Sequence, residues 1–90
     1  MRKRGRLEII HDILRALQDK GSLKPTHILY KSNLSYQMLT EYLTELIGKQ
    51  LISEYYDKRG NKLYSITDKG HGFLKDFRII KSFMESYGLD

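Results

Sequence analysis

The chain has 90 residues, with 16 Lys and Arg against 11 Asp and Glu, a formal net charge of +5 and no cysteine. The absence of cysteine excludes disulfides, thiolate zinc sites and cysteine nucleophiles together. No apolar run approaches the roughly eighteen residues that span a bilayer, and the start lacks a signal-peptide stretch, so a cytoplasmic chain with no membrane association is expected. A single domain of this length, 1–90, buries only roughly 60–65% of its unfolded surface, so its core is small or shared with a second chain, and the positive balance favours a polyanionic partner.

Arg2, Lys3, Arg4 and Arg6 make residues 1–6 a basic arm, which either tracks a polyanion backbone or is a solvated tail. Leu7, Ile10, Ile13, Leu14 and Leu17 then recur at helical spacing, and Gly21 follows where a C-terminal glycine belongs, which predicts a first helix over 7–20. Pro25 presets φ for the first turn of a short second helix carrying Ile28 and Leu29 and ending near Lys31. Asn33 tolerates the left-handed conformation of a tight turn, Leu34 packs inward, and Ser35 caps a third helix from Tyr36 to about Lys49. Its apolar stripe is Leu39, Tyr42, Leu43 and Leu46, which leaves Tyr36, Gln37, Thr40, Glu41 and Thr44 toward the other side.

After Gln50 the periodicity changes. Leu51, Ile52, Tyr55 and Tyr56 lead into Asp57-Lys58-Arg59-Gly60-Asn61-Lys62, and Leu63, Tyr64 and Ile66 follow, which predicts a β-hairpin with its tip near Gly60. Thr67 caps a fourth helix over 68–88, in which Gly70 and Gly72 weaken the first turn, and Phe73, Phe77, Ile80, Met84 and Tyr87 advance as a heptad stripe. The fold class is mainly α with a small β-hairpin. A helix-turn-helix running straight into a hairpin is the element order of a winged helix-turn-helix, here over 7–67, with the C-terminal helix added.

A helix entering the DNA major groove needs modest side chains that hydrogen-bond base edges, and Ser35, Tyr36, Gln37, Thr40 and Thr44 qualify. Gln37 suits adenine N6 and N7, Thr40 a thymine methyl and Tyr36 a phosphate, whereas the same residues are also compatible with an ordinary polar surface. Glu41 opposes phosphate contact unless it accepts from cytosine N4 or pairs with a nearby cation. Lys58, Arg59 and Lys62 cluster at the hairpin tip, offset only by Asp57, and either reach phosphates and the minor groove or merely solubilise the turn. Arg4, Arg6, Lys24 and Lys31 are further backbone-contact candidates. Phe77, Ile80, Phe83, Met84 and Tyr87 lie beyond what so small a core covers, which favours pairing with a second copy over packing within one chain. Catalysis finds no support, because His11, His27 and His71 are scattered and neither a nucleophile–base spacing nor a phosphate-binding glycine loop is present. No cofactor or metal is expected.

The stretch Glu8-Ile-Ile-His-Asp-Ile-Leu14, the segment Ile28-Leu-Tyr-Lys-Ser-Asn-Leu-Ser-Tyr36, the run Leu43-Thr-Glu-Leu-Ile47 with Leu51-Ile52, and Tyr64-Ser-Ile-Thr-Asp-Lys-Gly70 with Phe73-Leu74 resemble the small archaeal winged-helix proteins of the "ten-a" chromatin type. The resemblance covers about Leu7 to Tyr87 and departs at Gln50, where many winged helices have glycine. It implies a nucleoid-associated double-stranded-DNA-binding protein of archaeal, viral or plasmid origin, either transcriptional regulator or chromatin component. Its recognition helix falls on Ser35–Lys49, its wing on Asp57–Lys62, and its C-terminal helix pairs antiparallel with that of a second copy. The alternative is a winged-helix protein–protein interaction module without DNA binding, since fold does not fix function.

Overall fold

The apolar spacings converge on one cluster, in which Ile13, Leu14, Leu17, Ile28, Leu39 and Leu46 are sealed from solvent and Ile9, Ile10, Leu23, Leu43, Ile52, Tyr64 and Leu74 close around them. The computed structural model describes residues 5–89. Its elements are α1 (Arg6–Lys20), β1 (Ser22–Leu23), α2 (Pro25–Ser32), α3 (Tyr36–Gly48), β2 (Ile52–Tyr56), β3 (Lys62–Ile66) and α4 (Asp68–Ser86). The three strands form an antiparallel sheet in the order β1-β3-β2, with Leu23 opposite Tyr64 and Glu54 opposite Tyr64 on its other side. This is the expected mainly helical winged fold. The third strand, β1, is a difference: two residues in a helix–helix link carry no alternation to read, and only pairing with β3 makes them a strand.

Helix boundaries follow their caps. The Ser35 hydroxyl accepts from the Met38 amide at 3.2 Å and the Thr67 hydroxyl from the Gly70 amide at 3.1 Å, so each satisfies one otherwise orphaned donor. Asn33 ends α2 at φ 54, the left-handed geometry anticipated for the turn. Ser32 is fully buried, and its hydroxyl is satisfied by donating to the Ile28 carbonyl at 2.6 Å. Leu7, expected in the core stripe of the first helix, is instead exposed, while Ile9 and Ala16 are buried. The buried face of α1 is wide because α2, the sheet and α4 all pack on it.

The exit from α3 and the entry to α4 meet at one tight junction. Gln50 takes φ 62, the conformation that glycine adopts without strain, and the Thr67 hydroxyl donates to its carbonyl at 2.7 Å. Lys69 Nζ donates to the Lys49 carbonyl at 2.8 Å, and the Thr67 amide donates to the Leu51 carbonyl at 3.2 Å. Gly70 is buried against this corner: a Cβ there would lie 2.4 Å from the Leu51 carbonyl oxygen and 2.5 Å from Ile66 Cγ1. Its absent side chain is therefore a packing requirement, which accounts for a glycine in the first turn of α4 despite its low helix propensity.

Gly70→Ala is expected to lower stability by about 3 kcal/mol through overpacking against backbone, a fall of roughly 15 °C in Tm for a chain of this size. Gln50→Gly, which relieves left-handed strain but loosens the unfolded chain, should be neutral or stabilising by about 0.5 kcal/mol. Thermal denaturation followed by circular dichroism measures both, and a Gly70→Ala destabilisation below about 1 kcal/mol would contradict the close approach.

Candidate nucleic-acid interface

With Leu39, Leu43 and Leu46 facing the core, the 3.6-residue period puts Gln37, Glu41 and Thr44 on the opposite, outward face of α3. Tyr36, Thr40 and Thr44 also border a groove whose far wall is the hairpin, through Glu54, Lys62 and Tyr64, and whose end is Pro25. The other flank of α3, with Met38, Glu41, Tyr42 and Glu45, faces the start of α1 at Arg6. Helix and hairpin thus share one concave border.

Several predicted contact residues already have intramolecular partners. Ser35 is engaged in its cap. The Thr40 hydroxyl donates to the Tyr36 carbonyl and that of Thr44 to the Thr40 carbonyl, each at 2.9 Å, so both present a methyl group and an acceptor rather than a free proton. Arg6 is the first residue of α1 rather than part of an arm, and its guanidinium pairs with Glu45, 5.9 Å from the Tyr42 ring centroid. Lys49 pairs with the same carboxylate at 2.9 Å. Arg4 lies outside the described residues.

The hairpin tip is built around Asp57. Its carboxylate accepts from the Arg59 and Asn61 amides at 2.9 Å each and from the Asn61 side chain at 3.2 Å, and the Asp57 amide donates to the Asn61 carbonyl. Gly60 supplies φ 81 in the turn. Lys58 and Arg59 project into solvent with no ion pair among the described residues. Lys62, predicted with them, sits one step inside, opposite Tyr56 in the ladder, and is held by Glu54 at 3.6 Å and by the Tyr56 ring at 5.9 Å. The free cations of the tip are Lys58 and Arg59. Lys24, at the start of α2, lies close enough to act on Asp57, and Lys31 is exposed in the last turn of that helix. Tyr64, which floors the groove, has its phenol pushed up to about 12 by burial and by its hydrogen bond to Glu54. Glu54 and Tyr56 were not singled out in the sequence; their role depends on the cross-strand register, which residue spacing alone does not fix.

Along α4, Phe77 is only half exposed, with its ring stacked on His11 at 4.5 Å and on Phe73 at 6.0 Å, so it contributes first to the contact with α1. Ile80, Phe83, Met84 and Tyr87 stand clear of the core, joined by Ile79 and Leu89, which the heptad count leaves out. Leu7, Phe73, Phe77, Ile80 and Met84 line an apolar groove between the start of α1 and this stretch.

The winged helix-turn-helix family model matches residues 3–85. The chain belongs to that family. Over 82 residues this winged helix is 32% identical to the uncharacterized protein MJ0290 of Methanocaldococcus jannaschii, matching 87% of the chain but 36% of that protein. It superposes on Sso10a-2, a DNA-binding protein from Sulfolobus solfataricus, with a TM-score of 0.75 and 26% identity, over 94% of this chain and 90% of that one. YusO from Bacillus subtilis shares the fold with a TM-score of 0.77 at 23% identity, over 88% of this chain and 58% of YusO. The winged helix therefore spans about a third of the archaeal relative. No helix among the described residues is long and apolar enough to cross a membrane.

The Asp57 carboxyl lies below its ordinary value of 3.8, chiefly because the Asn61 amide donates to the charged form, assisted by the Asn61 side chain, the Arg59 amide and the nearby Lys24 charge. A depressed folded value means that the turn's stabilisation is complete above the ordinary carboxylate range and is lost as pH falls through the lower one. The Arg59 and Asn61 amide resonances should titrate with a midpoint below 3.8, and Asp57→Ala should abolish that titration and speed amide exchange at both positions. A midpoint at or above 3.8 would remove Asp57 from its place as the organiser of the tip.

Proposed function

We propose that this chain is a homodimeric double-stranded-DNA-binding protein of regulatory or chromatin type, with α3 set into the major groove and the hairpin tip on the flanking backbone. The observation that carries this reading is the shared border of α3 and the hairpin, where a polar, compact helix face stands beside a tip bearing two cations with no ion pair among the described residues. Lys58 and Arg59 reach phosphates, Lys24 and Lys31 extend the same contact along α2, and Gln37, Thr40 and Thr44 address base edges while Tyr36 reaches the sugar–phosphate edge. The net charge of +5 and the likeness to a DNA-binding protein of Sulfolobus solfataricus support the same assignment. Arg6 and Lys62 act indirectly, the first by fixing α1 to α3 and the second by bracing the hairpin.

The second half of α4 supplies the dimer contact. Ile79, Ile80, Phe83, Met84, Tyr87 and Leu89 lie between 37% and 67% exposed, an apolar stripe too dense for a solvated helix end. A second copy crossing antiparallel covers it and places two recognition helices at opposite ends of one elongated assembly.

Binding to a short duplex, measured across a salt series with the solution mass recorded alongside, tests this directly. Affinity should fall steeply with salt, and Lys58→Ala with Arg59→Ala should lower the log–log slope by roughly 0.9 for each phosphate that is no longer neutralised. Ile80→Glu with Phe83→Glu should halve the mass and weaken binding. Absence of duplex binding at low salt sinks the DNA assignment, and a monomeric native mass sinks the dimer.

A further inference from the structure

Among the described residues, the carboxylates that flank the proposed recognition helix are paired, with Glu41 the exception. Glu45 is shared by Arg6 and Lys49, and Glu54 holds Lys62. Glu41 is exposed at the centre of the outward face between Gln37 and Thr44, and among the described residues no cation or hydrogen-bond donor satisfies it. That face also carries no lysine or arginine anywhere between Tyr36 and Gly48. A helix that merely gripped DNA would place cations there, whereas this one presents a carboxylate that borders the hollow beside Arg6 yet forms no ion pair among the described residues, since Arg6 is engaged by Glu45.

We propose that Glu41 is a specificity residue that selects cytosine, making this protein a sequence-discriminating rather than an indifferent DNA binder. The proposal rests on the DNA-binding assignment above. An ionised carboxylate only accepts hydrogen bonds. In the major groove guanine offers the N7 and O6 acceptors and thymine O4 with a methyl group, so both repel it. Adenine offers an amino donor, but with the N7 acceptor beside it, which opposes the second carboxylate oxygen. Cytosine offers its N4 amino group with the paired guanine O6 on one side but only C5–H on the other, whereas the adenine amino group is flanked by acceptors on both sides, so cytosine is the base that best compensates the charge. Gln37 lies four residues earlier, about 6 Å along the axis, so its base should fall within about two base-pair steps of the selected cytosine.

The test is selection from a randomised duplex pool by the native protein and by Glu41→Ala and Glu41→Gln, followed by affinity measurements on the selected duplex and its single-base variants. The native protein should fix cytosine at one position per half-site, and changing that base should weaken binding on the order of tenfold. Glu41→Ala should bind all four bases there equally well, and Glu41→Gln should shift the preference to adenine. The proposal is overturned if Glu41→Ala tightens binding to every duplex alike and leaves the selected sequence unchanged, since Glu41 then only repels phosphates. A native protein that binds no duplex at low salt overturns the DNA assignment itself, before any variant is compared.

Discussion

The close approach of Gly70 to the Leu51 carbonyl is the constraint on which the rest of the geometry depends. At that point the end of α3, the start of β2, the end of β3 and the first turn of α4 come within van der Waals contact, tied by the Thr67 hydroxyl on the Gln50 carbonyl and the Thr67 amide on the Leu51 carbonyl. The recognition helix, the wing and the C-terminal helix therefore leave a common corner at fixed angles. Were a side chain present at Gly70, α4 would have to lift away and its direction relative to α3 would change. In a dimer built through α4, that direction sets the separation and orientation of the two recognition helices, so a packing detail remote from DNA determines whether both reach one duplex.

The core explains why α4 divides into two parts. Ile13, Leu14, Leu17, Ile28, Leu39 and Leu46 are covered on all sides, and burying each is worth about 2 kcal/mol. Leu74 is the last residue of α4 in that cluster, and Phe73 and Phe77 close its edge against His11 and α1. Beyond them Ile79, Ile80, Phe83 and Tyr87 stand exposed. The Phe83 and Tyr87 rings, 4.9 Å apart, cover one another only in part. A chain of this size that continues a helix beyond its own core leaves an apolar face that a second surface must cover.

Much of this was legible from the residues. Ser35, Thr67 and Asn33 fix helix ends through chemistry contained within a few positions, so the caps and the turn between α2 and α3 follow from sequence alone. The hairpin tip around Asp57 and Gly60 is local in the same sense. What escaped depends on neighbours distant in the chain. Arg6 and Glu45 stand 39 positions apart, so nothing in the N-terminal run marks Arg6 as fixed to α3. Lys62 resembles Lys58 and Arg59 until the register sets it facing Glu54. Gly70 resembles a weak helix position until the Leu51 carbonyl occupies the space where its Cβ would be.

These tertiary pairings also divide the labour of recognition. Fixing Arg6 on Glu45 and Lys62 on Glu54 removes two cations from the surface facing the groove, and Lys49 is drawn to the far flank of α3 by the same Glu45. Among the described residues around this face, the cations proposed for phosphates lie at the periphery, on the hairpin tip and along α2, while the helix between them carries no Lys or Arg. Peripheral cations attract any duplex with equal strength, because phosphate spacing does not depend on sequence. Contacts at the helix would depend on which bases face it, and a carboxylate without a partner among the described residues, as proposed for Glu41, would make a wrong base costly instead of merely less favourable. In the proposed DNA complex, affinity and discrimination would thus reside on different elements, and the ion pairs of Glu45 and Glu54 would keep them apart.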